Sequence, residues 1–277
     1  MTQSLWLATT ESVSLSSLSS STTCDVCIIG GGLTGLYTAY TLAKAGVDVV
    51  LLEGNTHFGH GTTGHSTGKL TAQHSIVYAN LLEKLSLEEA QLYYQLNQQA
   101  IDKARQMLPP DSVRSVDSLL YCQTKEGYAQ LLKEWNAYKV LNIKSNLTSD
   151  TELPFPITKA LSMSQQAQIN PVEVSNFLVK EAQKMGAKLY ANTRVQQLNI
   201  PQNNLHTEKI CRFNIISLFC VHTIPLKLLK DSNFLNYPIV VPIWLQVKPL
   251  RPCKVNIYQL IFLLVRYGLP RLIRKII

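Results

Sequence analysis

A glycine-rich turn between two apolar runs constrains the fold of this chain more than any other feature. Residues 24–29 form a short apolar run bounded by glycine, which is typical of a buried parallel strand. Residues 33–45 favour a helix that stops at Gly46, and a second apolar run, residues 47–52, ends at Glu53. Strand, tight turn, helix and strand within about 30 residues predict one βαβ unit.

The turn itself has the glycine spacing of a dinucleotide-binding loop. Gly30 permits the tight turn out of the strand, Gly32 lets the backbone approach a pyrophosphate, and Gly35 lets helix and strand pack closely. The diphosphate would then lie on the helix N-terminus, where backbone N–H groups and the helix dipole favour negative charge. The residues of this turn are Gly30, Gly31, Gly32, Leu33, Thr34 and Gly35.

An acidic residue closes the second strand at the position that such a fold requires. Glu53 follows Gly35 by 18 residues, and a carboxylate there accepts hydrogen bonds from the hydroxyls of an adenosine ribose. It would repel a 2′-phosphate, which disfavours NADP. The pattern predicts an α/β chain with a Rossmann-like dinucleotide-binding domain. The alternative is a glycine-rich turn that binds no ligand.

The fingerprint alone does not choose between FAD and NAD, and the loop that follows it helps, with a solvated Gly/Thr loop as the alternative. Residues 59–74 read GHGTTGHSTGKLTAQH, and small hydroxylated residues and glycines offer donors to phosphate without steric obstruction. This loop resembles the D-amino-acid oxidase superfamily of FAD-dependent oxidoreductases, and within it the bacterial branch that often carries a C-terminal Rieske domain. Residues 4–10 also resemble the short leader of that branch. The resemblance covers about residues 4–200.

The resemblance implies a cofactor, a reaction and a set of binding residues. It implies FAD, a part of a mixed-sheet substrate domain, and oxidation of the C–N bond of a small amine or amino acid by hydride transfer to the flavin. A family of this kind often has no side-chain base, so no catalytic residue is assigned. Lys69 is the candidate for stabilising reduced flavin, with an ordinary surface lysine as the alternative. The cofactor residues implied beyond the turn and Glu53 are Gly54, Thr62, Thr63, Thr67, Gly68, Lys69 and, through its backbone at the adenine, Val195.

Four histidines crowd the same region without indicating a metal. The spacing of His57, His60, His65 and His74 fits no structural zinc pattern, and no cysteine accompanies them. His65 or His74 could face the flavin as a hydrogen-bond donor or as a covalent attachment point. The alternative is a loop histidine with no chemical role.

The cysteines and the lack of a targeting segment favour a cytoplasmic protein. Cys24 and Cys27 form a CxxC, but three positions apart in a strand they point to opposite faces, so neither a disulfide nor a shared metal is expected. We expect buried free thiols. No stretch reaches the roughly 18 apolar residues of a transmembrane helix, and residues 1–23 read as a flexible Ser/Thr-rich leader.

The net positive charge of the chain comes from its last quarter. The formal net charge is +8, of which residues 1–205 contribute −1 and residues 206–277 contribute +9. The charge therefore indicates no nucleic-acid partner for the chain as a whole. Residues 206–277 contain no alanine and one glycine, Gly268, and they match nothing in the family.

We therefore expect three segments: a leader at 1–23, an FAD-binding domain with an interleaved partial substrate domain at 24–205, and an aberrant tail at 206–277. The tail is expected to come from a truncation or frameshift and to pack poorly, with short or isolated regular elements. The alternative for the tail is a real basic surface, with an interfacial helix at 260–277 that Pro270 interrupts and no stable membrane insertion. The alternative for function is a non-catalytic remnant that keeps only the nucleotide-binding unit. No feature of the sequence indicates an oligomeric state.

Several further elements follow from periodicity, caps and breakers. Helices are predicted at 76–85, 86–107, 125–140 and 171–186, the second with a capping box between Ser86 and Glu89. Strands are predicted at 118–124, 160–167, 187–190 and 194–198.

Overall fold

The computed structural model describes residues 3–199, 204–207, 212–220 and 243–246, and its chain divides into two units. The first unit combines Met1–Ser66 with Pro171–Ile277, and the second is the segment Thr67–Asn170 between them. Each unit has its own sheet. The fold is mixed α/β, as the sequence predicts.

The first unit is built on a seven-stranded sheet with the βαβ unit at its centre. The strand order is β7-β2-β1-β10-β9-β8, and β11 pairs with β10. Its strands are β1 (Thr22–Ile29), β2 (Val49–Leu52), β7 (Lys188–Tyr190), β8 (Val195–Asn199), β9 (Asn204–Thr207), β10 (Arg212–Cys220) and β11 (Ile243–Gln246). Its helices are α1 (Leu5–Thr9), α2 (Leu33–Lys44) and α6 (Pro171–Lys184).

The central strands are apolar because both of their faces are covered. All four residues of β2 are buried, and β1 pairs with it in parallel from Val26 with Val49 to Ile29 with Leu52. Helix α2 connects these strands and packs against α6. A parallel pair needs such a crossover connection, so the arrangement follows from the strand–turn–helix–strand pattern of the sequence.

The described parts of the tail are strands of this same sheet. Nine-residue β10 pairs in parallel with β1, from Thr22 with Phe213 to Ile29 with Cys220, and its other neighbours are β9 and β11. The expectation that regular elements of the tail would be short or isolated is therefore wrong for β10. An apolar strand can join an open sheet edge through backbone hydrogen bonds alone, and composition does not reveal this. The rest of 206–277 lies outside the described residues, so the boundary at 205 and the origin of the tail stay predictions.

The second unit is an antiparallel sheet covered by helices. Strand β6 is central: β4 pairs along one edge, and β3 and β5 pair with different parts of the other. The strands are β3 (Lys69–Leu70), β4 (Val113–Cys122), β5 (Ser145–Thr148) and β6 (Lys159–Ile169). The helices are α3 (Tyr78–Lys84), α4 (Leu87–Met107), α5 (Lys125–Val140) and a 3₁₀ turn at Pro110–Ser112.

The core of the second unit lies among its helices and β6. It contains the fully buried Tyr78 and Tyr138, whose rings meet edge to face with centroids 5.3 Å apart, together with Leu131, Leu161 and Met163. Burial raises the pKa of both tyrosine hydroxyls above the ordinary range, so both stay neutral.

Local sequence signals agree with the helices from α2 to α6, whereas β4 begins five residues before the strand predicted at 118–124, and α1, β3 and β5 were not predicted. The capping box at the start of α4 is present, since Ser86 and Glu89 each bond the other's backbone, and α5 has the predicted bounds. Cys24 and Cys27 both lie in β1 as buried free thiols, as predicted. Within the described ranges, none of the helices has the length and apolar character that crossing a membrane requires.

Candidate cofactor site

The turn after β1 has the backbone geometry that its glycines predict. Gly30 has φ +107°, a conformation that residues with a Cβ rarely adopt, and its N–H donates to the Leu52 carbonyl at 2.9 Å. The chain therefore turns away from β1 at Gly30, and the Gly30 hydrogen bond still connects this turn to the end of β2. This geometry brings the start of α2 beside Glu53.

Gly35 shows the closest approach of helix and turn. A Cβ on Gly35 would lie 2.0 Å from the carbonyl oxygen of Gly30, which no real Cβ contact allows. At Gly31 a Cβ would lie 2.3 Å from the Phe58 ring. Glycine at these positions is thus required by packing, independently of any ligand.

The N-terminus of α2 is the part of the turn that is suited to an anion. Gly32 is its N-cap and has no side chain, and the first turn of the helix holds no acidic residue. The Leu33 N–H donates to Oγ1 of Thr63 at 3.2 Å. Among the described residues, no side chain bonds the amides of Thr34 or Gly35. The helix dipole and these amides together favour a phosphate at this position.

Glu53 directly follows β2, and its carboxylate faces the glycine turn at residues 30–35. It is 5% exposed, its Oε2 accepts from the Gly31 N–H at 2.7 Å, and its Oε1 accepts from the Asn55 N–H at 2.7 Å. Each carboxylate oxygen has a second acceptor site, so two backbone bonds leave capacity for ribose hydroxyls. The backbone bonds fix the orientation of the carboxylate.

The segment before β8 runs beside Glu53, where the adenine is expected. The Thr193 N–H donates to the Glu53 carbonyl at 2.8 Å, and the Arg194 guanidinium lies against Gly54, where an added Cβ would be 3.1 Å from its central carbon. Val195 begins β8 two residues after Thr193. The structure thus brings Val195 into the neighbourhood of Glu53 and Gly54.

The loop between β2 and the second unit folds back on the turn. The Gly59 N–H donates to the Gly31 carbonyl at 2.9 Å, and a Cβ on Gly32 would lie 3.2 Å from Thr63 Oγ1. Thr62 is exposed beside it. Of the predicted loop residues, Thr63 is the one that the structure places at the helix N-terminus.

The remaining predicted residues, Thr67, Gly68 and Lys69, begin the second unit. Gly68 is buried with φ +70°, and its carbonyl accepts from the Ile169 N–H at 2.9 Å. Lys69 is exposed in β3, where it pairs with Gln168. Their proposed contacts with the flavin stay predictions.

Three of the four histidines of the region, His60, His65 and His74, have side-chain hydrogen-bond partners, whereas the buried Nδ1 of His57 has none among the described residues. Nδ1 of His65 lies 2.9 Å from the Gly61 carbonyl, and Nδ1 of His74 lies 3.1 Å from the Tyr93 hydroxyl. The pKa of His60 is lowered by partial burial and next by the neighbouring His57. Over the described residues, no group of three or more His, Cys, Asp or Glu side chains is arranged to hold a metal ion.

Comparison with known proteins places this geometry in a family. The FAD dependent oxidoreductase family, DAO, matches residues 25–212. The chain belongs to this family. The match includes the turn, Glu53, the loop and Val195, and it extends seven residues past the expected boundary at 205.

Two curated relatives show how the likeness is distributed. A Bacillus subtilis (strain 168) protein, YhfW, whose name describes a Rieske 2Fe-2S iron-sulfur protein, is 35% identical over 195 residues, which cover 69% of this chain and 38% of YhfW. The gamma-glutamylputrescine oxidoreductase of Escherichia coli (strain K12) is 50% identical over 58 residues, 21% of this chain and 13% of that protein. The chain therefore spans well under two thirds of the curated relatives it matches.

Solved structures show the same fold. Glycine oxidase from Geobacillus kaustophilus superimposes with a TM-score of 0.59 at 18% sequence identity, covering 74% of this chain and 57% of that one. At this identity the likeness supports the FAD-binding type of α/β fold and nothing finer.

Several residues that shape the site carry no motif in the sequence. Phe58 packs on Gly31, Arg194 on Gly54, and Asn176 of α6 binds the leader through both ends of its amide. The leader also donates to the loop through Ser4 and Trp6. The sequence signals for the leader are Trp6, the one aromatic residue of 1–23, and the resemblance of residues 4–10 to the leader of the family branch.

Proposed function

We propose that this chain binds FAD and supplies the cofactor-binding part of an oxidoreductase that acts on the C–N bond of an amine or amino acid. The observation that carries the proposal is the start of α2. Its N-cap has no side chain, its first turn has no acid, and the Thr63 hydroxyl lies 3.2 Å from its first amide. The family to which the chain belongs supplies the identity of the dinucleotide.

The residues present fit FAD. The diphosphate would lie on the amides of α2 with the Thr63 hydroxyl beside it, and the ribose would bond Glu53. A buried carboxylate already fixed by two backbone N–H groups does not need to be reoriented when the ribose arrives. The same charge would repel a 2′-phosphate, which supports FAD or NAD over NADP.

The chemistry belongs to the cofactor, and the protein orients it. When bound, the flavin would supply the acceptor for the hydride equivalent that leaves the substrate. In this proposal Glu53 holds the ribose, the α2 amides and Thr63 hold the diphosphate, and Lys69 contributes positive charge near the flavin. The substrate is proposed as a small amine or amino acid. Gamma-glutamylputrescine oxidoreductase and glycine oxidase, by their names, act on such compounds.

Flavin content tests the proposal directly. The purified chain, saturated with FAD and then desalted, should retain flavin with the absorption bands of the bound oxidised form. Gly32→Val should abolish retention, because a side chain there meets Thr63 and occupies the path of the diphosphate. Ala45→Val is the control, since Ala45 is exposed at the C-terminal end of the same helix and has an ordinary backbone φ of −86°. Equal flavin content in wild type and Gly32→Val would end the assignment.

Glu53→Gln tests the ribose contact at some cost to the fold, because the new amide nitrogen would face the N–H of Gly31 or that of Asn55. The change should weaken FAD binding by about 1–3 kcal/mol, the scale for a hydrogen bond to a charged group. Fluorescence titration of FAD gives the dissociation constant. A chain that binds FAD but oxidises no amine or amino acid would favour the alternative, a nucleotide-binding remnant without catalytic activity.

A further inference from the structure

The N-terminal segment lies along the cofactor loop and contacts it at several points. We define the strap as residues 4–14. Ser4 Oγ donates to the Gly64 carbonyl, and Trp6 Nε1 donates to the Ser66 carbonyl at 2.8 Å. The Leu7 side chain packs on Gly64, where an added Cβ would lie 3.0 Å from it. Three residues of one short helical segment thus hold one end of the loop.

The other end of the loop is also held. Ser12 Oγ lies 2.6 Å from Nε2 of His60, and Ser14 forms a backbone bridge with His57. The strap therefore follows the loop over most of its length. Glycine-rich loops lose much conformational entropy when they are ordered, so contacts that order the loop beforehand lower the cost of binding a ligand.

The strap is in turn anchored to the body of the first unit. The Asn176 side chain accepts from the Val13 N–H at 3.2 Å and donates to the Glu11 carbonyl at 2.8 Å. Further along, the Ala191 N–H donates to the Ser16 carbonyl and the Leu18 N–H to Thr193 Oγ1. These contacts connect the strap to α6 and to the segment beside Glu53. A segment fixed in this way can hold the loop.

A continuous set of contacts leads from the strap to the N-terminus of α2. The loop contains a turn in which the His65 N–H donates to the Thr62 carbonyl and the Ser66 N–H to the Thr63 carbonyl. Ser4 and Trp6 hold this turn from outside through the carbonyls of Gly64 and Ser66. Thr63 is part of the turn, and its hydroxyl meets the first amide of α2.

We propose that the strap is a part of the cofactor site: Ser4, Trp6 and Leu7 are positioning residues that hold the turn at 62–66 so that Thr63 faces the diphosphate. This inference rests on the proposed function, because it assigns the strap a role in binding FAD. In this proposal the leader has a defined role in cofactor binding, whereas its Ser/Thr-rich composition predicts only a flexible segment.

Paired variants within α1 test the strap. Ser4→Ala/Trp6→Phe removes both donors and keeps an aromatic ring, and Leu7→Ala removes the contact with Gly64. Leu5→Ala is the matched control, because Leu5 is 63% exposed on the same helix. The measurements are the FAD dissociation constant by fluorescence, hydrogen exchange of residues 57–66 without FAD, and the thermal melt of the FAD-free chain.

The strap variants should bind FAD more weakly than wild type, by up to about fivefold, because they act through Thr63 and cannot cost more than the one hydrogen bond that its hydroxyl makes. The loop amides should exchange faster than in wild type. The melting temperature of the FAD-free strap variants should equal that of Leu5→Ala. Affinity equal to that of Leu5→Ala, with or without faster exchange, would overturn the proposal. A wild-type chain that binds no FAD would instead contradict the proposed function, and the strap's role in binding with it.

Discussion

Helix α2 in the first unit and helix α5 in the second both follow a strand, and both carry glycine at the third helical position. At Gly35 an added Cβ would lie 2.0 Å from a backbone oxygen, that of Gly30. At Gly127 it would lie 3.0 Å from Cβ of Cys122 and 3.3 Å from Oγ1 of Thr124, both side-chain atoms. Gly35 permits a close approach to the backbone, whereas the nearest neighbours of Gly127 are side-chain atoms at tight contact distance.

The two helices also differ in what satisfies their first amides. Thr124 caps α5, and its side chain accepts from the Gly127 N–H at 3.0 Å. Gly32 caps α2 without a side chain, and the hydroxyl at its start comes from Thr63, thirty residues along the chain. In α5 the capping side chain therefore comes from the residue next to the helix in sequence. A helix with a bare cap leaves its dipole available to a ligand.

Buried glutamates show the same contrast between the units. Glu134 is fully buried and accepts from three consecutive amides at the start of α3, those of Val77, Tyr78 and Ala79, at 2.8–3.0 Å. Glu53 accepts from two amides. Glu134 therefore acts as a distant cap for α3, whereas Glu53 keeps acceptor capacity at the edge of the cofactor site.

The largest expected effect is that of Gly35→Ala. The clash with the Gly30 carbonyl should destabilise the chain by about 3 kcal/mol or more, at the upper end for overpacking. Gly127→Ala should change stability by no more than about 1 kcal/mol, because better helix propensity offsets a tight side-chain contact. Urea denaturation of both variants measures the difference. Similar losses of unfolding free energy in the two variants would show that both glycines are required by packing to the same degree.

Glu134→Gln should have the next largest effect, confined to stability. Its amide nitrogen would face the Ala79 N–H, so one buried donor loses its acceptor at a cost of roughly 2–3 kcal/mol. Glu126→Gln, at an exposed position in the first turn of the same helix, should cost less than about 1 kcal/mol. Denaturation and FAD titration of both variants check this. A large loss of FAD affinity in refolded Glu134→Gln would remove the contrast with Glu53.

Much of this arrangement could be predicted from local sequence. The βαβ unit, the capping box at Ser86 and the bounds of α5 each depend on neighbouring residues, and the structure agrees with all three. The family followed from the loop at 59–74. Such features can be predicted from the sequence because caps, breakers and apolar runs act over one or two helical turns.

The contacts that the sequence did not predict join residues far apart in the chain. Ser4 meets Gly64, Trp6 meets Ser66, and Glu134 reaches the start of α3 across more than fifty residues. Strand β10 joins β1 through backbone bonds that leave no compositional trace. None of these pairings produces a period or a motif, so the sequence does not predict them.

The smallest expected effects come from the two hydroxyls at the helix starts, and they should move different quantities. Thr124→Ala removes the cap of α5 and should lower stability by about 1 kcal/mol while FAD affinity stays unchanged. Thr63→Val keeps the shape of the side chain but removes the hydroxyl beside α2. It should weaken FAD binding about fivefold, the equivalent of one hydrogen bond, with little loss of stability. Denaturation midpoints and FAD titrations on the same preparations measure both quantities. If Thr63→Val instead lowered stability as much as Thr124→Ala and left FAD binding unchanged, the Thr63 hydroxyl would be an ordinary cap supplied from a distance, and the bare N-terminus of α2 would no longer distinguish the two units.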